Sequence, residues 1–300
     1  MKLRDFLLSP AINKMGLWLG EHTPQSVGYW IARTAAGIIA RRTKSDQVRA
    51  VRLNQWMLSD QTLDSVALDV AVKKVYLAYS RCMYDFYHNM RNPEAIRKLV
   101  KFDDNFRQFM DDSKSGKQGC LGLLMHVGGY DLAGYAIALQ GMKPQILSYP
   151  NPNEGYKYHN ELRERQGLHV TPLSMEALQE ASRFLKNNGT VITGIDRPWA
   201  ATNYHPKFFG YESDIPVTTI QLAIRTNVPV VTIACVRQSD GTYILQASPY
   251  LEMKPYKDRE ELLIKNTEMV LDVAEPYLRS APEQWSMFYP VWPQLLQSMP

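Results

Sequence analysis

The spacing of apolar positions changes near residue 120, and the change divides the chain. Before it, Val66, Val70, Val72, Val75, Leu77 and Tyr79 recur at helical intervals and predict a helix from Leu63 to about Met90. The stretch 11–42 also reads as helical, and "SDQVRAVRLNQWML" opens a helix on a Ser45 or Asp46 cap and runs to Leu58. Pro93 suits the first turn of a further helix carrying Ile96, Leu99, Val100 and Phe102. After Cys120, short apolar runs take over: "CLGLLM", "PQILSYP", "LHVTPL", "TVITGI", "VPVVTIACV" and "YILQASPYL". Amphipathic stretches near 131–141, 153–166, 174–187, 216–226 and 257–279 separate them.

Strands alternating with helices imply right-handed β-α-β units and a buried, largely parallel or mixed sheet flanked by helices. The fold class is therefore α/β, with an all-helical region over 1–112 and an α/β core over 113–300, expected to form one integrated domain. In open α/β sheets, binding sites gather where loops leave the carboxyl ends of strands. That rule selects "HVGGYD" after the first run, "PNPNEGYKYHN" after the second and "DRPW" after the fourth.

Charge adds a second asymmetry. Residues 1–56 hold nine Lys/Arg against three Asp/Glu, +6, while the rest carries 25 against 27, or −2. Phe6, Leu7, Leu8, Leu17, Trp18, Leu19, Tyr29, Trp30 and Trp56 are interleaved with those cations. Rings at headgroup depth and cations near lipid phosphates suit a helix lying on a membrane surface. "VGYWIARTAAGIIA" is too short to span a bilayer and contains Arg33, so the expected association is peripheral. Three dispersed cysteines, Cys82, Cys120 and Cys235, suggest neither a disulfide framework nor a zinc site and fit a reducing compartment.

Several chemistries can be set aside. The chain has no G-x-x-x-x-G-K-[ST], no G-x-G-x-x-G, no G-x-S-x-G and no H-E-x-x-H, so no cofactor or metal is expected. Acid–base chemistry at His126 remains. Five helical steps would hold His126 and Asp131 about 140° apart, but a strand, a turn at Gly128-Gly129 and a helix start could bring them together. Asp131 would then either cap the helix or accept the imidazole N–H and leave the other ring nitrogen as a general base. Spacing alone leaves both roles open.

The pattern resembles the H-x(4)-D/E acyltransferases, in particular the bacterial lipid A biosynthesis (lauroyl/myristoyl) acyltransferases and the related phosphatidylinositol mannoside acyltransferases. Besides "HVGGYD", the similar blocks are "VRLNQWML" (51–58), "NGTVITGIDRPWA" (188–200), the Phe-Phe-Gly block within 204–237, and "PEQWSMFYPVW" (282–292). They occur in the family's order across roughly 50–292. Gly129-Tyr130 stands where Asn-Trp is common, and Ile215-Pro216-Val217 lacks the usual Pro-Xaa-Gly glycine; both departures bear on the acceptor.

The resemblance implies a glycerolipid acyltransferase-like fold and transfer of an acyl group from acyl carrier protein or coenzyme A thioester to a hydroxyl of a membrane glycolipid or lysophospholipid. It implies His126 as base, Asp131 as its orienting carboxylate, and no nucleic-acid partner. The expected location is the cytoplasmic face of the inner membrane, peripherally bound. Asp196 and Arg197 are candidate substrate-binding residues, or else a salt-bridged strand exit. Arg163 and Arg165 match a family basic position but also fit a solvated helix face. Phe209 and Gly210 read as a tight turn that could border a lipid groove. A lipid-binding protein without turnover and an acyl-thioester hydrolase are the alternatives.

Overall fold

The computed structural model describes residues 10–198 and 202–300; Phe6, Leu7 and Leu8 of the basic front end lie outside them. The helical stretch 11–42 is two helices, α1 (Pro10–His22) and α2 (Gln25–Ala40), because Pro24 cannot continue the first and stands immediately before the second. Next come α3 (Asp46–Leu58), α4 (Ser65–Asn89) and α5 (Pro93–Leu99). Side-chain caps fix their starts: the Ser45 hydroxyl, the Asp64 carboxylate and the Asn92 amide oxygen each accept from the backbone N–H three residues on. The helix opened by Pro93 stops at Leu99, and Val100–Phe102 forms an edge strand, β1, instead of a last helical turn. Val100 pairs with Tyr243 across the sheet, so a partner distant in sequence overrides the helical spacing.

The core then runs α6 (Asp104–Ser115), β2 (Cys120–Gly128), α7 (Tyr130–Leu139), β3 (Gln145–Ser148), α8 (Glu154–Arg165), β4 (His169–Pro172), α9 (Met175–Lys186) and β5 (Thr190–Gly194). After it come β6 (Lys207–Phe208), β7 (Tyr211–Glu212), α10 (Thr218–Thr226), β8 (Val230–Arg237), β9 (Tyr243–Ala247) and α11 (Arg259–Ser280). The seven-stranded sheet has the order β1-β9-β8-β2-β5-β3-β4. Every neighbouring pair is parallel except β8 and β9, so the sheet is mixed. Strands β6 and β7 are a separate hairpin turning through Phe209 and Gly210, both at positive φ, as a two-residue hairpin turn requires.

Central strand β2 is apolar on both faces. Leu121, Leu123, Met125 and Val127 point into one core with Ala181, Leu271 and Trp285. Cys120 and Leu124 point the other way, toward Phe106, Leu132 and Ile137. Strand alternation therefore turns His126, at the carboxyl end, to the face covered by α7. Asn54 of α3 ties the helical region to the C-terminal segment: its amide donates to the carbonyls of Met287 and Tyr289, and its oxygen accepts from Val291 N–H.

Candidate active site

The imidazole of His126 lies over Gly194 of neighbouring β5, where an added Cβ would stand 2.9 Å from His126 Cε1. A glycine there gives the ring its space. The chain leaves β5 directly into Asp196, whose Oδ1 is 2.7 Å from His126 Nδ1. Its other oxygen, Oδ2, accepts from the His126 backbone N–H at 2.8 Å and from Trp285 Nε1 at 2.7 Å. Asp196 is fully buried. Burial alone would raise its carboxyl pKa, but His126 and these hydrogen bonds outweigh burial and hold it below the ordinary carboxylate value. A buried, ionised acceptor on Nδ1 assigns the proton to that nitrogen and leaves Nε2 as the basic one.

Asp131 does not make the expected bond to His126. It stands in the first turn of α7 and is buried, but Oδ1 accepts from Arg163 Nε at 2.9 Å and Nη2 at 2.7 Å. Nor does it cap its helix through a hydrogen bond: the N-cap is Gly129, which has no side chain to offer. The reason is geometric. His126 leans across the sheet toward β5, whereas Asp131 sits on a helix above the sheet and meets α8. Gly128 takes φ of 59° and Gly129 N–H donates to Cys235 O at 3.0 Å, so the glycines pin the turn against β8. A Cβ at Gly128 would come within 2.1 Å of that carbonyl, so the turn admits glycine alone.

Two cavities meet at these groups. The outer one, about 300 Å³, lies beneath α1 and α2 and is bordered by Tyr76, Tyr79, Tyr84 and Tyr87 of α4. The inner one, about 140 Å³, lies between α7 and the sheet, lined by Leu124, Ile137, Ile146, Leu168, Ile192, Ile233 and Leu245. His126, Tyr130, Asp131, Tyr156, Arg163 and Arg197 border both. The Tyr130 ring meets the imidazole edge to face, with centroids 5.3 Å apart.

Arg197 is held by aromatic rings: its guanidinium carbon is 4.1 Å from the Tyr149 centroid and 4.4 Å from that of Tyr289. Its Nη2 donates to Tyr289 Oη at 2.6 Å, and among the described residues its buried Nε has no hydrogen-bond partner. Arg163 also donates to Asn160 Oδ1 at 2.9 Å. Burial would lower its pKa, but Asp131 outweighs this, so Arg163 keeps its charge.

The remaining candidates are elsewhere. Arg165 is exposed, 3.8 Å from Glu161 on the solvent side of α8, and borders neither cavity. Phe209 is buried against Phe208 and Trp292 with Arg279 over its ring; it and Gly210 form the hairpin turn and border neither cavity. Conversely, sequence reasoning gave little weight to Trp285 and none to Ser286. Ser286 N–H and Oγ donate to the His126 carbonyl at 2.9 and 3.0 Å, so the C-terminal segment holds the histidine's backbone as well as its partner. The "PEQWSMFYPVW" block was the available signal. His159 was also passed over; it borders the outer cavity, and burial pushes its pKa down to about 4.

Residues 12–294 match the family described as bacterial lipid A biosynthesis acyltransferase. The chain belongs to that family. It is 24% identical over 187 residues to the phosphatidylinositol mannoside acyltransferase of Mycobacterium tuberculosis H37Rv, covering 61% of this chain and 57% of that protein. The corresponding protein of strain CDC 1551 is 25% identical over 190 residues with the same coverage. The match thus spans little more than half the length of these relatives. The crystal structure of the 1-acyl-sn-glycerophosphate acyltransferase PlsC from Thermotoga maritima gives a TM-score of 0.34 at 15% identity, covering 75% of this chain and 95% of that one.

Proposed function

We propose that the protein transfers a fatty acyl group from an acyl thioester, on acyl carrier protein or coenzyme A, to a hydroxyl of a membrane glycolipid or lysophospholipid. The observation that carries this reading is the His126–Asp196 pair at the junction of two cavities. His126 Nε2 removes the acceptor's hydroxyl proton as the oxygen attacks the thioester carbonyl. Asp196 holds the imidazole in that tautomer and stabilises its protonated form without taking the proton itself. The tetrahedral intermediate collapses, the C–S bond breaks, and the imidazolium returns its proton to the departing thiolate. Thiols are acidic enough to leave readily, so no covalent acyl-enzyme is needed.

The inner cavity supplies an apolar trough for the donor's acyl chain. The outer cavity, rich in tyrosine hydroxyls and rings, suits the acceptor. Arg197 is the cation placed for a phosphate or a developing oxyanion. Asp131, tied to Arg163, positions that arginine and the floor of the site.

Membrane contact follows from the outer face of α1 and α2. Met15, Trp18, Val27, Trp30 and Ile38 are exposed, and with Val66 and Val70 they make seven of the ten large apolar side chains exposed among the described residues. Arg33, Arg41, Arg42 and Lys44 are exposed on the same segment. Rings and cations on one surface fit peripheral binding to an anionic bilayer, here the cytoplasmic face of the inner membrane. No helix among the described residues is long and apolar enough to cross a membrane.

The test is turnover of a purified sample with acyl thioester, with and without lipid acceptor. Acceptor-dependent thiol release with acyl-lipid formation supports transfer. Acceptor-independent release would make the protein a hydrolase, and no release in either case a binding protein. His126→Ala should abolish transfer in a chain that still folds.

A further inference from the structure

The outer cavity is roofed by α1 and α2, and their attachment to the rest of the protein is uneven. The tip of this hairpin makes a cluster of polar contacts to the carboxyl half of α4. Tyr84 Oη donates to Thr23 O at 2.7 Å, His88 Nδ1 lies 2.6 Å from Gly20 O, and Glu21 pairs with Arg91 at 2.8 Å. Its far end runs into α3 through residues 41–45, and α3 is fixed by Asn54. Elsewhere the underside of α2 presents the small residues Gly28, Ala32 and Ala36, Leu17 and Ile39 pack on the core, and buried Asn13 of α1 donates to Gly155 O at 3.2 Å.

At the tip, Tyr29 enters a buried polar cluster. Its hydroxyl donates to Asp85 Oδ1 at 2.7 Å and accepts from Arg237 Nη2 at 3.0 Å. Asp85 does not depend on Tyr29 alone: Oδ2 accepts from Tyr243 Oη at 2.7 Å and lies 3.4 Å from Arg237 Nε. If Tyr29 withdraws, the buried carboxylate keeps both partners, so the cluster can open without stranding a charge.

We propose that the α1–α2 hairpin is a hinged lid over the reaction cavity, pivoting at residues 41–45, latched by Tyr29 on Asp85 and Arg237, and opening to admit the lipid acceptor. This rests on the acyltransferase reading for what enters, but not for the motion itself. A lid latched at its tip and joined to the core at its base opens as a unit that leaves the sheet intact. Its outer face carries Trp18 and Trp30, so the moving part is also the part that meets lipid.

Hydrogen exchange on the full chain tests the motion. Amides of residues 10–40 should exchange through an opening that leaves β2 and β8 protected. Tyr29→Phe removes the latch and should speed that exchange by roughly tenfold or more, the effect of one hydrogen bond to a charged group. Gly28→Ala should act in the same direction by wedging, because the added methyl would meet the Tyr84 ring at 1.9 Å. Exchange of α1–α2 in step with β2, or unchanged in both variants, would overturn the proposal. A second arm locks the lid. Glu21 and Arg91 pair at 2.8 Å and border neither cavity, so Glu21→Cys and Arg91→Cys can be joined by a short dithiol through two mixed disulfides, giving an oxidised, bridged form. Transfer to a vesicle-borne acceptor should stop in the oxidised form and return on reduction; equal turnover in both forms would overturn the lid. If no form transfers acyl groups at all, the acyltransferase reading fails and the exchange measurement alone decides the lid.

Discussion

His126 and Asp196 are joined twice, once through the imidazole at 2.7 Å and once through the histidine's own backbone N–H at 2.8 Å. The carboxylate thereby fixes both the ring and the strand end that bears it. Asp196→Asn cannot accept from all three donors it now serves, so the favoured tautomer is lost. We expect kcat to fall by about 10²–10⁴-fold with the fold retained. Asp131→Asn should instead act on stability, costing about 3–5 kcal/mol by leaving Arg163 charged and buried. Steady-state kinetics and urea unfolding on both variants separate the roles. A larger kcat loss in Asp131→Asn than in Asp196→Asn would restore Asp131 as the orienting group.

Gly194→Ala tests the ring's position directly. The added methyl would lie 2.9 Å from His126 Cε1 and push the imidazole away from Asp196. Turnover should drop by roughly tenfold or more while secondary structure is unchanged, since misplaced reacting groups are costly. Unaltered kcat would mean that the histidine does not work from this pose.

Acid should weaken the fold in two stages. His159 is held neutral, with its pKa lowered from 6.5 to about 4, so the unfolded chain binds a proton first as the pH drops. Stability should be level above about pH 6.5 and decline from there to about pH 4, by on the order of 3 kcal/mol. Asp196 acts lower. Its folded pKa lies below the unfolded value near 3.9, so its contribution is complete above about pH 4 and is lost as the pH falls through the folded value. Urea unfolding across pH for His159→Gln should lose the upper slope and keep the lower. An unchanged upper slope would show that another group titrates there.

Trp30→Glu, on the exposed face of α2, should lower binding to anionic vesicles by about tenfold or more, removing a ring suited to the interface and adding repulsion. Hydrolysis or transfer with soluble, short-chain substrates should stay at the wild-type level. Co-sedimentation that is indifferent to the substitution would move the membrane contact off this face.

Much of the fold was legible because strands and helices after Cys120 alternate with clean apolar periods and capped helix starts. Pro24 could have split the first helix and was passed over. The strand at Val100–Phe102 was not legible, since three residues carry no period and their partner lies near residue 243. The site was legible as a histidine at a strand exit beside two glycines. The carboxylate that meets its ring was not legible, because nearness in sequence favoured Asp131, five positions away, over Asp196, seventy positions away. Only the adjacency of β2 and β5 brings Asp196 to the ring, and adjacency belongs to the sheet order, not to any local stretch. "DRPW" was flagged as a strand exit, so the residue was identified and its contact with His126 was not.

The anchoring of His126 by Ser286 and of Asp196 by Trp285 also fixes when the site comes into being. Protein synthesis runs from the amino end, and the strands can begin to assemble as they emerge. The imidazole and its carboxylate are nevertheless finished only when residues 285 and 286 reach them and Asn54 clasps the segment that follows. A growing chain therefore carries the sheet before His126 and Asp196 have all the partners that hold them. The same segment, from Ser286 to Tyr289, also walls the outer cavity, so the histidine's support and that cavity are completed together.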